Sequence, residues 1–391
     1  MRTEKLGDLV SITGGGTPDR SNGAFWGGDV PWVTVKDFKS LEISGATEHI
    51  TAAGLEGSAS NLIPAGSIIV PTRMALGKAA INTRPVAINQ DLKALRIIDP
   101  SVIDRDFLFR FLLSKSEYLE SQGKGATVKG ITLDVLRELE IPLPPMTEQQ
   151  RIAAILDKVD SLRRKRQKAI DLADEFLRSA YLDLAKRHPD RASVEDVLAN
   201  IPNAARTGPF GSQLLVSEFT DSGIPVLGID NVVSNAFTWG ARRFVSPEKY
   251  YELERYTVRP GDVMVTIMGT TGRVAVAPDD LPLCISTKHL CTLSLDQEKM
   301  RPSYLWACLR WDPEVRAQAK RESKGAIMEG WNMGIVKGLL VSKPLIDVQL
   351  KFESLQARIG RFSRKAVTAA DETDALIASL SSKYLNSPIA V

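Results

Sequence analysis

An internal repeat with a period near 200 residues constrains this chain of 391 residues more than any other feature. The stretch GKGATVKGITL (123–133) is matched, without insertion, by SKGAIMEGWNM (323–333). The same offset relates Pro144 to Pro344, Gln149 to Gln349 and Ile152 to Phe352. A duplicated sequence predicts two domains of similar fold in one chain. Such a pair suits a target that itself has two halves.

Upstream of these motifs the repeat is weaker but keeps the same order. Three pairs of segments match: VPWVTVKDF (30–38) with IPVLGIDNV (224–232), IPAGSIIVPTRMALGKAAI (63–81) with VRPGDVMVTIMGTTGRVAV (258–276), and AINQDLKALRI (87–97) with CISTKHLCTLS (284–294). Apolar positions agree in these pairs, whereas polar positions differ. This pattern predicts one scaffold that presents two different surfaces.

Composition limits the class of protein. Hydrophobic residues make up 43% of the chain and charged residues 25%, as in ordinary globular proteins. No window has the roughly 18 apolar residues of a membrane span, and the N-terminus lacks a signal-peptide core, so we expect a cytoplasmic protein. The net charge of +3 is small for a DNA-binding protein. Cys284, His289 and Cys291 lack a fourth zinc ligand, and we interpret them as strand and core residues.

The predicted fold class is α+β. The pattern of residues 1 to about 140 predicts short strands separated by turns that contain Gly, Pro, Asn and Asp. Residues 104–122 have apolar side chains at helical spacing, which predicts a helix that closes the first domain. A glycine-rich stretch, Gly14 to Pro18, lacks the GK[ST] ending of a nucleotide-binding loop and is interpreted as a turn.

Each repeat ends in a long helix with a heptad pattern. Thr147 and Gln150 predict a capping box at the start of the first helix. The predicted seam of the first helix is 152, 155, 159, 162, 166, 169, 173, 176 and 180, and the second helix repeats it at 352 to 380. The first helix leads into the second domain near His188 and Pro189, whereas the second helix ends the duplicated pattern. A pseudo-twofold pairing of the two helices is therefore antiparallel, and it should form a rod of roughly 55 Å. The alternative is that each packs on its own domain as an ordinary amphipathic helix.

Candidates for DNA contact are polar and basic side chains, most of them predicted on turns between strands, because such side chains can reach base edges. They are Lys36, Arg73, Lys78, Asn89, Gln90, Lys93, Lys124, Lys129, Asn231, Thr270, Thr271, Arg273, Lys288 and Lys324. A basic band at 163–168, with a partial counterpart in the second helix, could face phosphate or an acidic partner, although a solvated helix face is the alternative.

Catalysis finds little support in the sequence. The three histidines do not combine with a serine or cysteine in a recognisable triad motif. The chain is therefore predicted not to be an enzyme. An alternative hypothesis is a stand-alone nuclease or methyltransferase with a duplicated domain. A third is an assembly adaptor that does not contact DNA.

Several motifs resemble the DNA specificity subunit of type I restriction-modification systems. They are LGDLVSITGGGTP, PWVTV, PAGSIIV, INQDLKAL and above all IPLPPMTEQQRIAAILDKVD. The resemblance covers nearly the full length, although the second half has KPLIDVQLKFESL in place of the usual helix start.

The resemblance implies a non-catalytic subunit without a cofactor. Two target recognition domains, 1–145 and 189–345, would each read one half of a split site in double-stranded DNA. Spacer helices 146–188 and 346–386 would form an antiparallel coiled coil that sets the gap. Two methyltransferase subunits would dock on these helices, and restriction/translocase subunits would add cleavage. The helix residues that we expect to contact partners are Gln149, Arg151, Ile152, Ile155, Gln349 and Phe352.

Overall fold

A computed structural model describes residues 2–125, 127–323 and 330–385. The chain divides into two compact units. Unit 1 comprises residues 1–166 and 368–391, and unit 2 comprises residues 167–367. This division differs from the four segments of the sequence analysis, because each long helix contributes one part to each unit. In the described ranges, no helix combines the length and apolar character that crossing a membrane requires.

In its described residues, unit 1 has eleven strands and five short α-helices, together with parts of the long helices. The strands are β1 (Thr3–Lys5), β2 (Val10–Gly14), β3 (Trp26–Val33), β4 (Glu42–Ile43), β5 (Glu48–Ile50), β6 (Leu62–Ile63), β7 (Ile68–Pro71), β8 (Ala80–Asn82), β9 (Val86–Ile88), β10 (Leu92–Ile97) and β11 (Glu140–Pro142). The helices are α1 (Leu6–Leu9), α2 (Ala52–Glu56), α3 (Arg105–Ser114), α4 (Ser116–Ser121) and α5 (Leu133–Arg137). Helix α6 (Met146–Arg187) follows.

Unit 2 repeats this order. Its strands are β12 (Arg191–Ser193), β13 (Ala205–Thr207), β14 (Ile224–Leu227), β15 (Phe244–Val245), β16 (Thr257–Val258), β17 (Val263–Thr266), β18 (Val274–Val276), β19 (Cys284–Ser286), β20 (Leu290–Leu293) and β21 (Leu340–Ser342). Its helices are α7 (Pro247–Leu253), α8 (Pro302–Trp311), α9 (Pro313–Glu322) and α10 (Met333–Gly338), and α11 (Ile346–Leu385) completes the order.

Sheet topology confirms that the two units share one fold. In unit 1 the sheets are β1-β11, β2-β10-β7-β8-β4 and β5-β3-β9-β6; in unit 2 they are β12-β21, β13-β20-β17-β18 and β15-β14-β19-β16. The single parallel pairing in the third sheet of each unit, β3 with β9 or β14 with β19, also recurs. Strand β4 has no counterpart in the described part of unit 2.

Strand register corrects one of the sequence alignments. Trp32 faces Ala87 across the parallel pair of unit 1, and Val226 faces Ile285 in unit 2. Ala87 therefore matches Ile285, one residue beyond the Cys284 predicted from sequence. The mismatch arose because apolar residues fill both faces of these buried strands, so that hydrophobicity alone does not fix a register.

Each unit has an apolar layer between its larger sheet and its helices. In unit 1, Phe107 and Phe111 of α3 pack with Ile152 and Leu156 of α6. In unit 2, Tyr304 and Leu305 of α8 occupy the matching layer with Val263 and Leu293. A second, smaller core lies between the sheets, around Val33 and Ile88 in unit 1 and around Leu227 and Leu290 in unit 2.

The long helices pack antiparallel within each unit, as predicted. In unit 1, Leu385 of α11 lies in the same cluster as Ile152 of α6, and Arg166 Nη1 donates to the carbonyl oxygen of Ala369 at 2.6 Å. In unit 2, Phe352 of α11 packs with Tyr181 of α6. The packing across α6 and α11 is therefore a coiled-coil contact and not only the docking of each helix on its own domain.

The predicted seam is partly wrong. Leu162 and Phe176 of α6 and Phe362 and Leu376 of α11 are exposed by 42 to 58%. Buried side chains instead follow Leu156, Leu177 and Tyr181. Leu156 packs in the apolar core of unit 1, and Leu177 and Tyr181 pack in that of unit 2. Burial on α6 therefore depends on the domain that the helix contacts as well as on the partner helix.

The start of α6 also differs from prediction. The helix begins at Met146, and the carbonyl oxygen of Pro145 accepts from the amides of Glu148 and Gln149 at 2.8 and 3.0 Å. Thr147 therefore lies inside the first turn and is not the N-cap. The prolines before Met146 already fix an extended backbone that leads into the helix.

Candidate nucleic-acid interface

The turn between β7 and β8 brings four predicted basic residues of unit 1 together. The amide of Met74 donates to the carbonyl oxygen of Lys129 at 3.0 Å, and Lys124 and Gly130 exchange two backbone hydrogen bonds of 2.9 Å. These contacts join residues 123–125 and 127–131 to the turn. The side chains of Arg73, Lys78, Lys124 and Lys129 are all exposed. A local concentration of exposed cations is the electrostatic feature that phosphate binding requires.

The loop between β9 and β10 contains a predicted residue that is structural. Asn89 is only 6% exposed. Its Nδ2 donates to Asp91 Oδ2 at 3.1 Å, and its Oδ1 accepts from the Asp91 amide at 3.2 Å. Asn89 therefore closes its own loop, as Asn does in many turns, and its amide is not available to a base. Asp91 also lies 3.7 Å from Arg73 Nη1.

Two further residues of this loop differ in how far their polar groups are available to bind a ligand. Gln90 is exposed, and its Oε1 accepts from the hydroxyl of Thr17. Lys93 Nζ donates to the carbonyl oxygens of Gln90 at 2.8 Å and Leu92 at 3.2 Å. Burial lowers the pKa of the Lys93 ammonium, and Asp91 opposes this. Gln90 can offer its amide to a ligand, whereas Lys93 uses two of its three donors on the loop.

A surface depression of about 420 Å³ lies beside this loop. Its lining includes the predicted residues Lys36 and Gln90, together with Arg20 and Met74, which the sequence analysis missed. Arg20 donates two hydrogen bonds to Glu48, of 2.5 and 2.9 Å, and its guanidinium lies 3.9 Å from the ring centroid of Trp26. Stacking and a bidentate carboxylate fix this cation at the rim.

The glycine-rich stretch after β2 has a steric role. A Cβ added at Gly15 would lie 1.9 Å from the carbonyl oxygen of Ile88, and one at the matching Gly208 would lie 2.0 Å from that of Ser286. The chain crosses the end of the parallel strand pair too closely for any side chain. This agrees with a structural turn.

In unit 2 the turn between β17 and β18 presents the predicted threonines and arginine. Gly269 and Gly272 have φ values of +74° and +79°, which glycine adopts without steric cost. The hydroxyl of Thr266 donates to the carbonyl oxygen of Thr270 and accepts from the Arg273 amide at 2.9 Å. Thr270 and Arg273 have exposed side chains, and that of Thr271 is half-buried.

Asn231, like Asn89, is buried and hydrogen-bonded within its own turn. Asn231 is 3% exposed; its Oδ1 accepts from the amide of Gly228 at 2.8 Å, and its Nδ2 donates to the carbonyl oxygen of Thr238 at 2.9 Å. It stands where Asp37 closes the equivalent turn of unit 1 onto the amide of Thr34. Sequence pattern alone did not distinguish a buried amide from an exposed one.

Lys288 is exposed in unit 2, at the position that Gln90 occupies in unit 1. Burial, followed by the charges of Lys288 and Arg243, lowers the pKa of the adjacent His289.

Arg243 pairs with Asp230 at 2.5 Å, and Arg242 lies 5.5 Å from the ring centroid of Trp239. The sequence analysis missed this cationic and aromatic group. Lys324 lies outside the described residues.

The cysteines occupy core positions. Cys284 and Cys291 are buried in different apolar clusters, and burial raises the pKa of each thiol to about 12. Within the described ranges, no three His, Cys, Asp or Glu side chains are close enough together to hold a metal ion.

Four of the six residues predicted to contact partners are buried in their own unit. Gln149, Ile152, Gln349 and Phe352 are at most 2% exposed. In both units the glutamine links the long helix to the loop before α3 or α8: Gln149 Oε1 accepts from the Asp104 amide and Gln349 Oε1 from the Arg301 amide, each at 2.8 Å. These four side chains stabilise the fold. Arg151 is exposed and paired with Glu148, and Ile155 is half-buried.

Comparisons with known proteins agree with this architecture. Residues 1–172 match the model of the type I restriction modification DNA specificity domain. The MjaIX specificity subunit of Methanocaldococcus jannaschii is 32% identical over 188 residues, which is 47% of this chain and 42% of that protein. The EcoR124I/EcoR124II specificity subunit of Escherichia coli is 35% identical over 164 residues, 40% of each chain. The chain thus spans about two fifths of the length of these relatives.

Solved structures show the fold at lower identity. The S subunit of a type I restriction-modification system from M. genitalium has a TM-score of 0.62 and 15% identity, with 97% of this chain and 95% of that chain covered. A chain from a study of assembly and conformational transition of the type I R-M system has a TM-score of 0.54 and 18% identity, with 99% and 98% covered. The sequence matches thus identify residues 1–172 as a type I restriction modification DNA specificity domain, and the duplicated α+β fold is similar to that of the S subunits of such systems.

Proposed function

We propose that this chain is the non-catalytic DNA recognition subunit of a type I restriction-modification complex in the cytoplasm, and that each unit reads one half of a bipartite site. One observation carries the proposal: the same strand order occurs twice, and the exposed turns at equivalent strand ends differ in chemistry. Two units that share a scaffold but differ in their polar turns can read two different base sequences, because bases are distinguished by their hydrogen-bonding edges.

Matched positions support two different specificities. Lys36 of unit 1 corresponds to Asp230 of unit 2, and Gln90 corresponds to Lys288. A lysine at such a position donates hydrogen bonds, a carboxylate accepts them, and a glutamine amide does both. The two units therefore offer different donor and acceptor patterns to a base pair. The clustered Arg73, Lys78, Lys124 and Lys129 are suited to the sugar-phosphate backbone.

The partners that we propose are two methyltransferase subunits, together with restriction/translocase subunits. Exposed apolar side chains on the long helices are candidates for docking: Leu162 and Leu376 in unit 1, and Phe176 and Phe362 in unit 2. Arg151 and Ile155 remain candidates for the same contact. Methyl transfer and cleavage would belong to these partners, and this chain itself would need no cofactor.

Mapping methylated bases in DNA exposed to the chain and its methyltransferase tests this function. We expect a split motif with an unspecified gap and, because each unit reads alone, a change in only one half after residues 1–140 are exchanged for those of another family member. An uninterrupted motif, or a change in both halves together, would contradict the proposal. DNA modification by the purified chain alone would favour an enzyme, and methyltransferase binding without sequence preference would favour an adaptor.

An insertion tests whether the helices set the gap. Four residues added after Ala169 of α6 introduce about 6 Å of rise and about 40° of rotation beyond one turn. We expect the gap to change or binding to be lost, while the bases of each half-motif stay the same. An unchanged gap at full affinity would indicate that the methyltransferase subunits determine the spacing.

A further inference from the structure

Met74 has a backbone conformation that an L-residue rarely adopts. Its φ is +66°, and the matching position in unit 2 is Gly269, with a φ of +74°. The next left-handed position of the turn is a glycine in both units, Gly77 and Gly272. The fold thus requires a left-handed residue at this point, and glycine satisfies the requirement without the steric cost that methionine incurs.

Core packing does not offset this cost. The Met74 side chain is 57% exposed and lines the depression that also contains Lys36 and Gln90. Its backbone is held in place, because its amide donates to Lys129 and the amide of Ala75 donates to the carbonyl oxygen of Arg73 at 2.9 Å. A strained residue that displays an exposed apolar side chain from a fixed turn suggests a role in binding.

The surroundings of Met74 indicate the chemistry of its target. The exposed cations Arg73, Lys78, Lys124 and Lys129 lie on the same turn or on the segment joined to it, and they suit phosphates. Met74 itself has neither charge nor a strong hydrogen-bonding group. On the major-groove edges of the base pairs, the C5-methyl group of thymine is the apolar feature, and apolar side chains contact it.

We propose that Met74 is a specificity-determining residue that contacts the C5-methyl group of a thymine in the half-site read by unit 1. The inference rests on the proposed function and deepens it, because it assigns one base type to one side chain. It requires at least one thymine in that half-site.

A double-mutant cycle between the side chain and the methyl group tests this. The protein is the full chain in complex with its methyltransferase subunits. The probe is a duplex that carries the motif found for the wild type, with each thymine of the first half replaced in turn by deoxyuridine, which lacks only the methyl group. At one position we expect the replacement to weaken wild-type binding about fourfold, the effect of one buried methyl group. For Met74→Gly, the same replacement should have no effect.

Two controls separate the side chain from general effects. Met74→Gly should melt at the same temperature as the wild type or higher, because it removes the left-handed strain, and Met74→Ala should lose the same discrimination while keeping a side chain there. Lys129→Ala should weaken binding to thymine and deoxyuridine probes equally, and with a smaller salt dependence than the wild type shows.

Three results would overturn the assignment: a first half-motif without thymine, wild-type indifference to every replacement, or an equal loss for Met74→Gly on both kinds of probe. The last would indicate an apolar contact unrelated to the methyl group. Failure of the proposed function gives a different result, since the wild-type complex would then show no sequence preference at all.

Discussion

The same corner of the fold is held in two different ways in the two units. In unit 1, Asn82 is fully buried; its Oδ1 accepts from the Ser67 amide at 2.9 Å, and the two N–H groups of its Nδ2 are shared among three carbonyl oxygens at 2.9 to 3.2 Å. In unit 2 the position of Asn82 is Ala277, and the corner instead has the buried pair Arg206 and Asp262. Arg206 Nε donates to the carbonyl oxygen of Thr257 at 2.8 Å, and the Ser294 hydroxyl donates to Asp262 at 2.5 Å.

This difference shows which property of the corner the fold requires. The loops before β7 and β17 have matching backbone hydrogen bonds, from Gly66 to Asn82 and from Gly261 to Ala277. In unit 1 one amide donates to carbonyl oxygens near this loop, and in unit 2 a guanidinium neutralised by a carboxylate donates to carbonyl oxygens of other segments. Burial lowers the pKa of the Arg206 guanidinium, and Asp262 opposes this. The fold therefore requires that the buried polar groups at this corner have hydrogen-bond partners, but it does not require particular residue types.

The largest expected effect tests the corner of unit 2. Arg206→Ala should lower the free energy of unfolding by about 3–5 kcal/mol, because it leaves the Asp262 carboxylate buried without its partner. The triple variant Arg206→Thr, Asp262→Ser and Ala277→Asn introduces the residues that unit 1 has at these positions, Thr13, Ser67 and Asn82, and should cost less than the single variant. Urea denaturation measures both. A triple variant as unstable as the single one would show that the two corners are not interchangeable.

The second test removes the glutamine that both units share. Gln149→Ala should destabilise the chain by about 2–3 kcal/mol, because the amide of Asp104 and the carbonyl oxygens of Val102 and Pro144 lose a buried partner. Gln349→Ala should have a similar effect through Arg301, Lys299 and Pro344. Gln150→Ala, at an exposed position, is the control. Effects no larger than that of the control would argue against this role.

The third test concerns the close backbone crossing. Gly15→Ala and Gly208→Ala should each cost about 2 kcal/mol, because a Cβ would overlap a carbonyl oxygen and the backbone would have to move. Gly23→Ala, whose Cβ would meet no atom within 4 Å, should have little effect. Thermal melts compare the three variants, and a silent Gly208→Ala beside a damaging Gly15→Ala would show that the crossing differs between units.

The smallest expected effect depends on pH. Because the pKa of His289 is lowered in the folded state, the unfolded chain binds more protons, and stability falls as the pH drops below about 6.5. The contribution should stay under about 1 kcal/mol, since solvent screens this half-buried group. His289→Gln should reduce the difference between urea midpoints at pH 5 and pH 8. An unchanged difference would assign the dependence to other groups.

Much of the architecture could be predicted from sequence. The repeat indicates two similar α+β domains, because a duplicated hydrophobic pattern buries the same faces twice. The heptad pattern indicates the paired helices, with an error at positions such as Leu156 and Leu177, which pack in the cores of the units. The basic residues of the β7–β8 turn could also be predicted, because lysine and arginine are rarely buried without a partner.

Burial and long-range contacts could only be decided by the tertiary structure. Asn89 and Asn231 are typical DNA-reading residues by type, yet the turns that contain them consume their amides. Gln149 lies on a predicted docking helix, but it faces a loop 45 residues earlier in the chain. Conversely, Arg20 and Met74 gain their significance from neighbours distant in sequence. Residue type and periodicity determine which groups are available to a fold, whereas the three-dimensional packing determines which of them remain free to bind a ligand.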